Sequence, residues 1–275
     1  MEKIRTRFDH LDVPRFLKAP VDRRVKKPRT TIVMLHGIGN SAAGWNTVKD
    51  MLPDDARVIA IDLLGFGASP KPTTASYNVR IQARSVAATL LKMRLSTRVI
   101  IIGHSMGSLI ATEIAKRYPL LVRGLILCSP PIYRSIDDLA GMKASTEQVL
   151  RKVYNVVGND ILTRPQFYIG LSQKIAGRVV VSDTFRITDD TINPYVVALR
   201  ASIMDQTTYK DIQALQVPVR IIYGTLDPFV VGKNFKRLAK KCDHISVKSI
   251  IAGHEVRKSY IKPILQAVDA TMHQM

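Results

Sequence analysis

Residues 99–107 read Val99-Ile100-Ile101-Ile102-Gly103-His104-Ser105-Met106-Gly107. The β-branched run 99–102 has the composition of a strand buried on both faces. The amphipathic stretch from about Ser108 to Arg117 then reads as a helix. Between them lies Gly-x-Ser-x-Gly in the strand–turn–helix setting that gives the pattern chemical meaning. A serine at the apex of so tight a turn stands clear of the sheet. The crowding that results two residues before and two after explains glycine at 103 and 107. The helix that follows turns its positive end toward any oxyanion forming beside the serine. Ser105 is therefore the candidate nucleophile.

Outward from this turn, short apolar runs alternate with longer amphipathic ones. Thr31 to Leu35, Val58 to Ile61, Leu125 to Cys128, Val219 to Tyr223 and Ile245 to Ile251 read as further strands. Asn78 to Met93, Gly232 to Lys241 and Lys258 to His273 read as helices. Such alternation predicts an α/β fold, a mostly parallel central sheet with helices on both faces. The alternation stops between Pro131 and Asp205. That stretch reads as helical, with breaks at Gly158, Pro165, Gly170, Gly177 and Pro194 and with aromatic residues at 133, 154, 167, 168 and 185. The expected organisation is a core of residues 1–130 and 206–275, with residues 131–205 inserted as a helical cap.

A serine hydroxyl needs a base to take its proton. Of the six histidines, His10 and His273 lie near the termini, His36 opens an early loop and His104 sits inside the elbow, unable to reach its neighbour's hydroxyl. His244 lies in a charged segment before a strand. His254 follows the last strand on Ala252-Gly253-His254-Glu255, at a C-terminal strand end, where open α/β sheets assemble their sites. The base in turn needs an acid to fix its tautomer. Asp227 follows the strand 219–223 and precedes His254 by 27 residues, room for one helix and one strand. Asp205 and Asp211 precede that strand and would sit at the wrong end. The order Ser, Asp, His suits this chain architecture.

His36-Gly37-Ile38-Gly39-Asn40 follows the strand that ends at Leu35. Backbone N–H groups of Ile38 and of Met106, the residue after the nucleophile, are the expected oxyanion donors. His36 is expected to act as a hydrogen-bonder within the loop. Asp62-Leu63-Leu64-Gly65-Phe66-Gly67-Ala68-Ser69 lacks the third glycine and the helix start of a dinucleotide loop. It is expected to shape a wall of the site.

Composition narrows the classes further. Hydrophobic residues make up 46% and charged residues 23% of 275, ordinary for a globular protein. No apolar run is long enough for a membrane span, and residues 1–8 are too charged for a secretory leader. The contexts of Cys128, ending an apolar run, and Cys242, in a lysine-rich helix, do not suggest a disulfide, so a reduced, cytoplasmic setting is expected; neither has a metal-ligand spacing, and no metal is expected. The net charge of +19 is concentrated: residues 1–30 hold ten Lys or Arg against four acids, and residues 232–262 nine against two. No nucleic-acid motif accompanies it. The expectation is a solvated basic face, with weak, salt-sensitive attraction to anionic surfaces as the alternative.

Together His36-Gly37, Asp62 to Ser69, Gly103 to Gly107, Asp227 and His254 resemble the α/β-hydrolase superfamily. The likeness is to its cap-bearing branch of esterases, C–C bond hydrolases and epoxide hydrolases. The resemblance implies hydrolysis through an acyl-enzyme, under a helical cap and without a cofactor. Epoxide hydrolases and haloalkane dehalogenases carry aspartate where Ser105 stands. C–C hydrolases often carry an aromatic residue where Glu255 follows the histidine. The reading is a hydrolase for carboxylic esters of small to medium acyl groups. A C–C hydrolase, a perhydrolase or a ligand-sensing receptor that keeps the triad remain as alternatives.

Overall fold

The computed structural model describes residues 12–95, 98–135, 145–176 and 182–274. Seven strands form one sheet in the order β1-β3-β2-β4-β5-β6-β7. They are β1 (Val21–Arg23), β2 (Thr30–Leu35), β3 (Ala56–Ile61), β4 (Val99–His104), β5 (Val122–Cys128), β6 (Val219–Gly224) and β7 (Ile245–Ile250). All neighbours run parallel except β1, which pairs antiparallel with β3. β1, with its half-buried residues, was not legible from hydrophobic pattern.

The apolar runs lie in the interior of the sheet because every residue of β2 and β4 is buried. Successive side chains point to opposite faces, so each strand feeds two cores. Val33, Leu35, Ile59, Ile61, Ile101 and Leu127 face the helices Val79–Lys92, Met106–Arg117 and Gly232–Lys241. Ile32, Met34, Ile100, Ile102 and Ile126 face Trp45 and the helix Lys258–His273. Burying a large aliphatic side chain contributes roughly 1.5–3 kcal/mol, so β4, placed at the centre of the sheet, is held rigidly from both sides.

Between β5 and β6 lie the helices Thr146–Thr163, Pro165–Ile175 and Ile192–Ala198, the last continuing as a π-helical turn, Leu199–Met204. Ser145 caps the first with a reciprocal Gln148 contact, and Pro165 opens the second. Gly158 and Gly170 do not break these helices as the sequence led us to expect. Each sits inside one, and the cost of such a glycine, about 1 kcal/mol, is small beside eighteen residues of helix in the first case. Pro194 is the third residue of its helix, where no intrahelical N–H bond is lost. The expected break at Gly177 lies outside the described residues. Among the described residues no helix is long and apolar enough to cross a membrane.

Candidate active site

Ser105 stands between β4 and the helix Met106–Arg117 with φ 52° and ψ −122°. A side chain in this region costs on the order of 1–3 kcal/mol, and the surroundings impose it. A Cβ on Gly103 would lie 2.6 Å from the Gly107 carbonyl oxygen, and one on Gly107 would lie 2.3 Å from that of Leu35. The Ser105 N–H donates to the Cys128 carbonyl at 3.0 Å and the Ser108 hydroxyl to that of Gly103 at 2.7 Å, so both sides of the turn are tied down.

The three residues expected to work together converge. Ser105 Oγ lies 3.0 Å from His254 Nε2, and His254 Nδ1 lies 2.8 Å from Asp227 Oδ2. All three follow C-terminal strand ends, of β4, β7 and β6. Asp227 Oδ1 accepts the Phe229 N–H at 2.9 Å. Burial alone would push the Asp227 carboxyl up. Hydrogen bonds from His254 and the Phe229 N–H, with the nearby His254 charge, outweigh it and hold the carboxyl below its ordinary value. Asp227 is thus an anion at neutral pH, which fixes Nδ1 of His254 as the protonated nitrogen and leaves Nε2 able to accept from serine.

The loop after β2 packs directly on the elbow: a Cβ on Gly37 would lie 3.1 Å from Ser105 Cβ. Ile38 is half-buried and lines the same cavity as Ser105. Met106 is the first residue of its helix, so its N–H is one of the donors that a helix start leaves unpaired. His36 Nδ1 donates to the Gly37 carbonyl at 2.7 Å while Nε2 accepts the Leu63 N–H at 2.9 Å. Full burial lowers its pKa to about 4, keeping it neutral in this bridging role. The 62–69 turn departs from expectation. It lies behind the 36–40 loop instead of lining the cavity around Ser105. Asp62 accepts the Ala42 and Ala68 N–H groups at 2.7 and 2.8 Å, so the turn braces the loop from beneath.

Above Ser105 is a cavity of about 190 Å³ whose walls include Tyr154, Phe185, Tyr195, Leu199, Ile203 and Phe229. All but Phe229 come from the stretch between β5 and β6. That stretch reaches down onto the 36–40 loop, where the Arg186 N–H donates to the Gly39 carbonyl at 2.9 Å. Gly39 has φ +70°, and a Cβ there would lie 2.5 Å from the Phe185 ring. Tyr133 donates to the Phe229 carbonyl at 2.6 Å, so its oxygen accepts the Tyr154 hydroxyl at 3.2 Å. Burial raises both phenols, Tyr154 to about 12, and both stay neutral.

A family model described as the alpha/beta hydrolase fold matches residues 30–256. The chain belongs to that family. It is 31% identical over 143 residues to a protein of Arabidopsis thaliana named probable lysophospholipase BODYGUARD 2; the match covers 50% of this chain and 30% of that protein. It is also 31% identical over 227 residues to an uncharacterised protein of Mycobacterium tuberculosis, covering 74% of this chain and 63% of the other. The chain therefore spans less than two thirds of the length of these relatives. Among solved structures, a thermophilic esterase from Thermogutta terrifontis superposes with a TM-score of 0.68 at 20% identity, over 92% of each chain.

Three supporting groups of this α/β hydrolase were not found from sequence. His104, set aside as a base, donates from Nε2 to the backbone carbonyl of His254 at 2.9 Å. Burial lowers its pKa and keeps it neutral. The Tyr260 hydroxyl donates to the Gly253 carbonyl at 3.0 Å and lies 2.7 Å from Ser129 Oγ. Ser129, with φ 46°, donates its own hydroxyl to the Tyr260 oxygen. The loop carrying His254 is thus held at two successive carbonyls. The signal for Ser129 was its place just past a C-terminal strand end. For Tyr260, inside a helix, no local pattern carries one.

Proposed function

We propose that this α/β hydrolase is a serine hydrolase for carboxylic esters of small to medium acyl groups. The observation that carries the reading is the relay Ser105 Oγ–His254 Nε2–Asp227, with steps of 3.0 and 2.8 Å, at the base of an apolar cavity. Ser105 Oγ attacks the ester carbonyl carbon while its proton passes to His254 Nε2. The Ile38 and Met106 N–H groups hold the oxyanion, a contribution of roughly 3–4 kcal/mol per donor in comparable enzymes. Collapse breaks the carbon–oxygen bond, and Nε2 returns the proton to the leaving alcohol. Water then attacks the acyl carbon, giving its proton to Nε2, and the carboxylic acid leaves as Ser105 regains its hydrogen. Asp227 stays ionised throughout and stabilises the imidazolium.

Residues 131–205 act as the cap over a core of residues 1–130 and 206–275, setting acyl fit and excluding bulk water. The cavity of about 190 Å³ is smaller than the roughly 300–1,000 Å³ typical of sites for drug-sized ligands, in line with a compact acyl group. The names of two of the similar proteins, an esterase and a probable lysophospholipase, both denote cleavage of carboxylic esters. The test is intact-protein mass spectrometry after a fluorophosphonate probe, followed by turnover of p-nitrophenyl esters of graded chain length. The wild type should gain one adduct and hydrolyse the shorter esters, and Ser105→Ala should do neither while keeping its fold. Turnover retained by Ser105→Ala would overturn the assignment.

A further inference from the structure

The opposite end of the sheet carries a second feature. Arg29, Arg98, Arg123 and Arg220 stand at the N-terminal ends of β2, β4, β5 and β6, four strands adjacent in the sheet. The pairings Thr31↔Val99 and Val99↔Val122 bring the first three side by side. Arg29, Arg98 and Arg123 line a cleft of about 400 Å³ together with Gln216 and Gln274.

Among the described residues, no carboxylate is a partner of these guanidinium groups. Arg98 Nε and Nη2 both donate to the Val122 carbonyl, at 3.1 and 2.6 Å. Arg123 Nη2 donates to the Met272 carbonyl at 2.8 Å, and its buried Nε has no partner. Arg29 Nη2 reaches His273 Nε2 at 3.4 Å. Arg220 donates to Thr271 Oγ1 at 3.0 Å and to Gln274 Oε1 at 2.7 Å, which leaves the Gln274 amide pointing its donors elsewhere. Among the described residues none of the four forms an ion pair, although other half-buried arginines do: Arg57 with Asp22, Arg134 with Glu147 and Arg117 with Glu113. A guanidinium has five N–H donors and a permanent charge, and one or two carbonyls satisfy only part of that. Like charges in one cleft repel, and an anion with several acceptor oxygens removes the repulsion and fills the open donors at once.

We propose that this cleft binds a phosphate group, monoester or diester, through Arg29, Arg98 and Arg123. The pairing of planar forks with a tetrahedral oxyanion suits phosphate, and Val217 and Pro218 complete the wall of the cleft. The site is remote from Ser105 and stands independently of the ester-hydrolase reading.

The experiment is calorimetric titration of the full chain with pyrophosphate at fixed ionic strength, set beside chloride. The wild type should bind pyrophosphate specifically, with affinity falling about tenfold for each arginine removed. Arg98→Gln/Arg123→Gln should therefore bind about a hundredfold more weakly. Lys236→Gln/Lys240→Gln, which removes equal charge from the helix Gly232–Lys241, should bind as the wild type does. A readout without substitutions is arginine modification by phenylglyoxal, mapped on peptides: pyrophosphate should protect Arg98 and Arg123. Flotation with phosphatidylglycerol vesicles separates the sources. Vesicle binding displaced by pyrophosphate assigns a lipid headgroup, and pyrophosphate binding without vesicle binding assigns a soluble phosphate. Absence of wild-type binding and of protection, or equal loss in the lysine variant, would overturn the proposal.

Discussion

Replacing Tyr260 by Phe deletes one oxygen from the interior and leaves the ring where it packs, against the sheet face that includes Ile100, Ile102 and Ile126. Tyr260 is fully buried, so the change opens little space and admits no water to replace the hydroxyl. Two hydrogen bonds disappear, to Ser129 Oγ at 2.7 Å and to the Gly253 carbonyl at 3.0 Å. At about 1 kcal/mol each, the variant should lose roughly 2 kcal/mol of stability. The same bonds tie the His254 loop, through Tyr260, to Ser129 just past the end of β5. His104 and Asp227 still hold His254, so the base should be loosened and not released. A misplacement near 1 Å costs on the order of a hundredfold in rate, and a partial one should lower kcat about tenfold. Tyr260 does not line the cavity, so KM should stay constant. Urea denaturation gives the first number and ester kinetics, split into kcat and KM, the second. An unchanged midpoint with unchanged kcat would refute the tether, and a raised KM at constant kcat would move the effect into substrate binding.

Gly103→Ala would place a methyl 2.6 Å from the Gly107 carbonyl oxygen; a loss of roughly 1–3 kcal/mol in chemical denaturation is expected, together with loss of fluorophosphonate labelling. His36, with a pKa of about 4 against 6.5 when unfolded, resists protonation only in the folded state. Stability should therefore be full above pH 6.5 and fall by roughly 3 kcal/mol as pH drops toward 4, and His36→Gln should flatten that part of a denaturation-against-pH curve; an equal slope in the variant assigns it to other groups. Phe185→Ala enlarges the cavity over Gly39, so the ratio of kcat/KM for longer over shorter p-nitrophenyl esters should rise about tenfold, since one methylene in such a pocket is worth roughly 1–3 kcal/mol.

What the sequence disclosed and what it hid divide along one physical line. The strands β2, β4 and β5 were legible because burial on both faces demands unbroken apolar runs. The elbow was legible because a backbone 2.3 Å from any Cβ at 107 admits glycine alone. Asp227 and His254 were legible because sheet topology fixes which strand ends can meet. In each case a constraint on the backbone forces a residue type at a known spacing. The groups that hold His254 in place obey no such rule. Tyr260 reaches the Gly253 carbonyl across seven residues, and Ser129 lies 131 residues from Tyr260. Such contacts depend on how a helix docks against the sheet, which many residue types could satisfy. The breaks wrongly expected at Gly158 and Gly170 have the same origin, because packing from the whole insertion outweighs a local propensity of about 1 kcal/mol. Chemistry at the reacting atoms is thus written locally, and the rigidity that makes it work is written in tertiary contacts, where substitution experiments such as Tyr260→Phe can read it.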